Sequence, residues 1–205
     1  MHREILTPAQ AALLPLVAKF EKDFGLVGGT AVALQIGHRE SIDFDMFSPE
    51  EFDNAKIRRV FSRAGKHIGT AYRDEKGQFT FTIDEVQFTF FHYPFSIEYS
   101  VRFEDFARMP TLLTLAAMKA FALGRRAKWK DYVDLYFIIR DHHALEEIVE
   151  HAEAIFAGEF NARLLHEQLS YFEDVDYREA VTFKPGFEVP DDEVKRALTE
   201  YSLAM

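Results

Sequence analysis

Asp43 and Asp45 stand two residues apart in Ser41-Ile42-Asp43-Phe44-Asp45-Met46-Phe47, a segment in which polar and apolar residues alternate. Such alternation predicts a strand, and residues two apart on a strand project from the same face. Two carboxylates on one face can hold one or two Mg²⁺ ions, the recurring arrangement for in-line phosphoryl and nucleotidyl transfer. Upstream, Gly28-Gly29-Thr30 directly follows the apolar pair Leu26-Val27. Glycines at a strand-to-helix turn let the backbone approach a ligand, and the helix N-terminus offers N–H groups and a partial positive charge. A phosphate suits that place, and the Thr30 hydroxyl could add a bond. Taken singly, a Gly-Gly pair is most often a turn and an Asp-x-Asp most often a solvated face. With Ile42, Phe44 and Met46 assigned to the other face of the strand, the acids fall nearest the Gly-Gly turn. The combination points to function.

The elements that must position these residues follow from periodicity. Residues 8–20 carry a helical pattern. Thr30 is the expected N-cap of a short helix over 30–36, stopped by Gly37. Ser48 and Pro49 predict the start of another helix, with Ser48 as cap, running to about Arg63. Residues 68–73, 79–83 and 86–93 read as strands, with turns at 75–77 and 84–85. Beyond Pro110 the pattern is helical, over 111–123, 128–140, 145–156, 162–172 and 191–203. The predicted class is α+β: a small mixed β-sheet core over residues 1–109, followed by a helical C-terminal half, 110–205, packed on it.

Composition narrows the function classes. The 205 residues include 21 Phe and 8 Tyr, ample for a large core. Asp and Glu number 34 against 24 Lys and Arg, a net charge of −10, which argues against strong non-specific nucleic-acid binding. The absence of cysteine excludes disulfides, Cys-ligated zinc, iron–sulfur clusters and thiol nucleophiles. The N-terminus, interrupted by Pro8 and Pro15, does not read as a signal peptide, and the apolar stretch 25–38 is too short to span a bilayer. A cytoplasmic protein without a membrane role is expected. The dense basic run Arg125-Arg126-Ala127-Lys128-Trp129-Lys130 reads either as a guide for an RNA or nucleotide or, more simply, as a solvated helix junction. Asp141-His142-His143 suits a helix C-terminus and lacks zinc-site spacing. Arg39, in the loop before the acidic strand, is a candidate phosphate contact.

Gly28-Gly29-Thr30-Ala31, followed by residues 37–47 with Asp43 and Asp45, resembles the nucleotidyltransferase superfamily with the DNA-polymerase-β-like fold. More narrowly, the chain resembles the AbiEii-type nucleotidyltransferase toxins of abortive-infection and type IV toxin–antitoxin systems. The narrower resemblance rests on residues 115–122, Leu-Ala-Ala-Met-Lys-Ala-Phe-Ala with Lys119, and on Lys130-Asp131-Tyr132-Val133-Asp134-Leu135. It covers residues 25–140. It implies that Gly28, Gly29 and Thr30 hold the triphosphate of an NTP and that Asp43 and Asp45 bind Mg²⁺; Arg39 and Ser41 complete the candidate nucleotide-binding residues. Lys119 would contact phosphate, and Asp131 or Asp134 would position that lysine or a substrate group. The acceptor would be a hydroxyl, on tRNA or a protein, and a cognate antitoxin the partner. Read from the residues alone, Lys119 is either a charge in need of a partner or a lysine reaching solvent. Asp131 and Asp134 share a helix face, and surface pairing with Arg126, Lys128 or Lys130 is their simpler reading.

One position departs from the family pattern. The expected third carboxylate on a later strand is Thr89 here, within Val86-Gln87-Phe88-Thr89-Phe90-Phe91-His92-Tyr93-Pro94. A threonine neither binds the metal well nor deprotonates the attacking hydroxyl. Two functions of different class therefore stand: an active transferase, or a degenerate transferase fold kept for nucleotide binding or protein interaction. A metal phosphohydrolase is a weaker third, since His and Asp are not clustered at ligand spacing.

Overall fold

Thr7 and Gln10 close a capping box around the first helix, α1 (Pro8–Val17), with Pro8 in its first turn. The computed structural model describes residues 1–203, and its contacts divide the chain into two compact units, Met1–Thr111 and Leu112–Met205.

The first unit continues with β1 (Gly25–Val27), α2 (Gly28–Ile36), β2 (Asp43–Ser48) and α3 (Asn54–Arg63). Then follow β3 (Ala71–Glu75), β4 (Gln78–Ile83), β5 (Val86–His92), β6 (Val101–Phe103) and β7 (Ala107–Met109). Five strands form a mixed sheet in the order β1-β2-β5-β4-β3. β2 and β5 run parallel at its centre, and the other pairs are antiparallel. β6 and β7 form a separate two-stranded ribbon.

Alternation sorts the central strands into two faces. Phe44 and Met46 of β2, Phe88 and Phe90 of β5, and Phe79 and Phe81 of β4 are all buried. Phe61 of α3 packs over them, 5.2 Å from the rings of Phe81 and Phe88, while Phe20 lies 4.8 Å from Phe90. This aromatic layer is the core of the unit.

Several local expectations are corrected. Thr30 does not cap its helix: α2 begins two residues earlier with Val27 as N-cap, so Thr30 lies in the first turn. The Ser48-Pro49 start is also displaced. Ser48 ends β2, and α3 begins at Asn54, where the Asp53 carboxylate accepts from the Ala55 N–H. A cap residue has value only where the chain turns, and the β2–β5 ladder carries Ser48 onward as strand. Ile42 lies outside β2 and is 49% exposed, so the buried face holds only Phe44 and Met46 from this segment. The β6–β7 ribbon was not anticipated, each strand being three residues long.

The second unit contains α4 (Leu112–Leu123), α5 (Trp129–Asp141), α6 (Leu145–Phe156), α7 (Ala162–Ser170) and α8 (Asp191–Leu203). Phe121 and Phe156 stack at 4.0 Å between α4 and α6. Leu165 and Leu169 of α7 and Val194 and Leu198 of α8 are buried. Among the described residues, no helix is long and apolar enough to cross a membrane.

The aromatic layer makes a quantitative prediction. Phe61→Ala should destabilise the first unit by about 3–5 kcal/mol, whereas Tyr72→Ala, on an exposed β3 position, should stay within about 0.5 kcal/mol. Urea unfolding followed by far-ultraviolet circular dichroism checks both.

Candidate active site

The sheet face opposite the aromatic layer carries the carboxylates. Asp43 and Asp45 alternate with buried Phe44 and Met46, so both project from the other side of β2, and both are half-buried. In the ladder Asp43 lies beside Gln87 and Asp45 beside Thr89. Across β4, Thr80 faces Thr89, with the two hydroxyls 3.5 Å apart.

The Gly-Gly turn meets this pair directly. Val27 is the register partner of Asp45, so the start of α2 follows at once beside it. Gly28 has φ +69°, and a Cβ there would overlap Oδ2 of Asp45. Only glycine serves at this position, for both backbone and space. A Cβ on Gly29 would fall 2.5 Å from Nη2 of Arg39 and 3.2 Å from Oγ of Ser41.

The remaining sequence candidates form the support of this turn. The Thr30 hydroxyl lies within hydrogen-bond distance of the Asp43 carbonyl, and of Ser41 Oγ at 2.9 Å, tying α2 to the start of the acidic strand. Arg39 lies in the loop between α2 and β2. It is buried with its guanidinium against Gly29, and it donates to the Glu40 carbonyl at 2.9 Å. Ser41 is buried as well.

Two carboxylates on one face, with a cradle that a side chain at position 28 would fill, are a donor set that Mg²⁺ accepts when phosphate oxygens complete its shell. Among the described residues no cluster of three or more His, Cys, Asp or Glu is placed to hold a metal. The register explains this: Thr89 occupies the position beside Asp45 where a third acid would stand. Thr80 and Thr89 escaped notice as a pair because only the β4–β5 register brings them together.

In the second unit, Lys119 of α4 is neither snorkelling nor solvated. It is 7% exposed, and its Nζ bonds Asp131 Oδ1 and, at 2.7 Å, Asp134 Oδ2, both buried on α5. Arg126 Nε lies 3.4 Å from Asp131 Oδ2. Of the simpler reading of these aspartates as surface partners, only the Arg126–Asp131 contact holds; both carboxylates are buried and paired with Lys119. The basic run faces its own unit's acids: Arg125 pairs with Glu159, and Lys128 and Lys130 both pair with Glu179. At the end of α5, Asp141 pairs with Arg140 and His143 with Glu147.

Removing one partner of a buried ion pair leaves an uncompensated charge at a cost of about 3–5 kcal/mol, whereas replacing the whole set by neutral groups is often close to neutral. Lys119→Met should thus destabilise the second unit by that amount. Lys119→Met combined with Asp131→Asn and Asp134→Asn should recover most of it in thermal and urea unfolding.

Comparison with known proteins gives these features a lineage. The sequence matches the family described as nucleotidyl transferase AbiEii toxin, type IV TA system, over residues 16–200. An uncharacterized protein of Aquifex aeolicus is 31% identical over 184 residues, covering 87% of this chain and 88% of that protein. The structure is similar to that of MenT4, a nucleotidyltransferase toxin of Mycobacterium tuberculosis H37Rv (TM-score 0.63, 13% identity), covering 95% of this chain and 82% of that one. It is also similar to JHP933 of Helicobacter pylori (TM-score 0.57, 18% identity), covering 96% and 91%. At these identities the structural likenesses speak for the fold alone. With the family match spanning most of the chain, and a mixed-sheet core carrying the Gly-Gly turn and paired aspartates, the protein belongs to the AbiEii nucleotidyltransferase toxin family of type IV toxin–antitoxin systems.

Proposed function

We propose that this chain transfers a nucleoside monophosphate from an NTP to an acceptor hydroxyl in a Mg²⁺-dependent reaction. The observation that carries the reading is the contact of the side-chain-free Gly28 with Asp45, on the face that also bears Asp43. The N–H groups at the start of α2 take the triphosphate, and the buried Arg39 guanidinium behind Gly29 adds positive potential there. Thr30 and Ser41 hold the turn and the acidic strand in register. Asp43 and Asp45 would hold the metal, which when bound supplies charge neutralisation and alignment of the reacting oxygens. The acceptor oxygen forms a bond to the α-phosphorus, the bond to pyrophosphate breaks, and the hydroxyl proton passes to solvent water. Lys119, positioned by Asp131 and Asp134, takes the role of a phosphate contact that family membership suggests. A cognate antitoxin as partner and a cytoplasmic place of work belong to the same reading.

A second reading, a binding module on a degenerate transferase fold, draws on Thr89. A threonine beside Asp45 cannot take the acceptor's proton.

Titration calorimetry tests the first reading. NTP binding should be at least tenfold tighter with Mg²⁺ than with EDTA, and Asp43→Asn with Asp45→Asn should abolish that difference while the fold persists. Equal binding in all four conditions overturns it.

Thr89→Asp separates the two readings. It restores a carboxylate about 5 Å from Asp45 across the ladder, so like-charge repulsion should lower the melting temperature without metal, and Mg²⁺ should restore it. Transfer of labelled NMP to total RNA or protein should rise at least tenfold if the fold is otherwise competent. No transfer by either form favours the binding module.

A further inference from the structure

Between α7 and α8 the chain runs through residues 171–190 without forming a helix or a strand. A connection of that length inside a compact unit needs contacts of its own to hold it down. Its first part lies along the start of α5. The Trp129 N–H donates to the Asp176 carbonyl at 3.1 Å, and the Asp176 N–H donates to the Ala127 carbonyl at 2.7 Å. The ring of Phe172 lies 5.6 Å from that of Tyr132, and the ring of Tyr177 5.2 Å from that of Trp129. Little of this strap is buried. Val175 is, but Tyr171 and Tyr177 are 52% and 41% exposed, and Glu173 and Asp174 are exposed as well. Segments held by few buried apolar contacts open at low free-energy cost.

One side chain joins the strap to the rest of the unit. The Lys195 ammonium, on α8, lies 5.1 Å from the ring centroid of Tyr177, 5.6 Å from that of Trp129 and 5.9 Å from that of Phe172. All three distances fall within the range at which an aromatic ring attracts a cation, and rings grouped about one ammonium form the cage that alkylammonium ligands take. Asp191, on the same helix, accepts from Trp129 Nε1 at 3.2 Å and fixes the indole. The Tyr177 hydroxyl, with Asp191 and Asp192, holds Lys195 above the ordinary lysine pKa, so the occupant stays charged. Trp129 stands on α5, Phe172 and Tyr177 on the strap, and Lys195 on α8, so one ammonium is the shared contact of three elements. Further along, Glu179 pairs with Lys128 at 2.6 Å and with Lys130 at 3.2 Å, and those lysine side chains are 39% and 18% exposed. The strap therefore covers the two cations that flank Trp129.

We propose that Trp129, Phe172 and Tyr177 form an alkylammonium site, filled by the chain's own Lys195, which latches residues 171–179 over Lys128 and Lys130. With the latch shut, these two cations are neutralised within their own unit. With it open, both lysines are uncovered and the emptied cage accepts an ammonium group from outside. The latch is independent of the transfer reading.

Trp129 is the only tryptophan, so its emission reports on the cage directly. Lys195→Met keeps an unbranched apolar side chain and removes the charge. Its emission should move to the red, and chymotrypsin should cut after Tyr171, Phe172 and Tyr177 about tenfold faster than in the wild type, the scale of the lost cation–π contacts. In Lys195→Ala, tetramethylammonium chloride should reverse both changes, and sodium chloride at the same concentration should not. Acylation by an N-hydroxysuccinimide ester, read by mass spectrometry against the exposed Lys56, should label Lys128 and Lys130 faster by a similar factor in both variants. Glu179→Gln should raise that labelling with the emission unchanged, a check that stands even where the Lys195 variants fail to fold. Wild-type emission and cleavage in Lys195→Met overturns the latch, as does rescue of Lys195→Ala by both salts or by neither. Unchanged labelling of Lys128 and Lys130, or shifted emission in Glu179→Gln, overturns it too.

Discussion

The parallel pairing of β2 with β5 is the constraint on which the first unit depends. It sets Phe44 beside Phe88 and Met46 beside Phe90, and on the reverse side sets Asp45 beside Thr89 and Phe47 beside Phe91. Because the side-chain period of a strand is two, a slip of one residue would carry carboxylates into the aromatic layer and phenylalanines out of it. The cost of burying two unpaired acids, added to the loss of ring packing, makes that slip prohibitive. Core and candidate site are thus two readings of one register. The same pairing decides which residue neighbours Asp45, so Thr89 stands beside it near the centre of the face.

What was legible in the sequence was whatever the short-range period encodes. The alternation around Asp43 announced a two-faced strand, the helical patterns beyond Pro110 announced α4 to α8, and the resemblance carried by the Gly-Gly turn and Lys119 led to the family. The misjudged positions share a physical cause, since each was decided by a partner distant in sequence. Thr30 looks like a cap until Ser41 and the Asp43 carbonyl claim its hydroxyl. Ser48 looks like a cap until the ladder takes it. Local chemistry proposes such roles, and tertiary contacts assign them.

The second unit places ionised groups where an apolar core would be easier to build. Lys119, Asp131 and Asp134 join α4 to α5 inside the unit, with Arg126 at the edge. A set of this kind is weak evidence for stability, since desolvation offsets most of the attraction. Its geometric effect is firmer. One ammonium is held by carboxylates a turn apart on the facing helix, which ties α4 to α5 at a single point.

The internal pairing of the basic run bears on rates rather than on affinity. Arg125, Arg126, Lys128 and Lys130 each face a carboxylate of their own unit, and the chain as a whole carries −10. A polyanion, whether an NTP or a nucleic acid, meets an opposing field over the last Debye length of its approach, about 8 Å at physiological ionic strength, and little field beyond it. Encounter is then slowed where most nucleic-acid-binding proteins accelerate it. Added salt, which weakens those proteins by screening their attraction, here relieves repulsion and hastens capture. Discrimination among polyanions falls to whatever happens after contact, in shape and stacking, because long-range charge favours none of them.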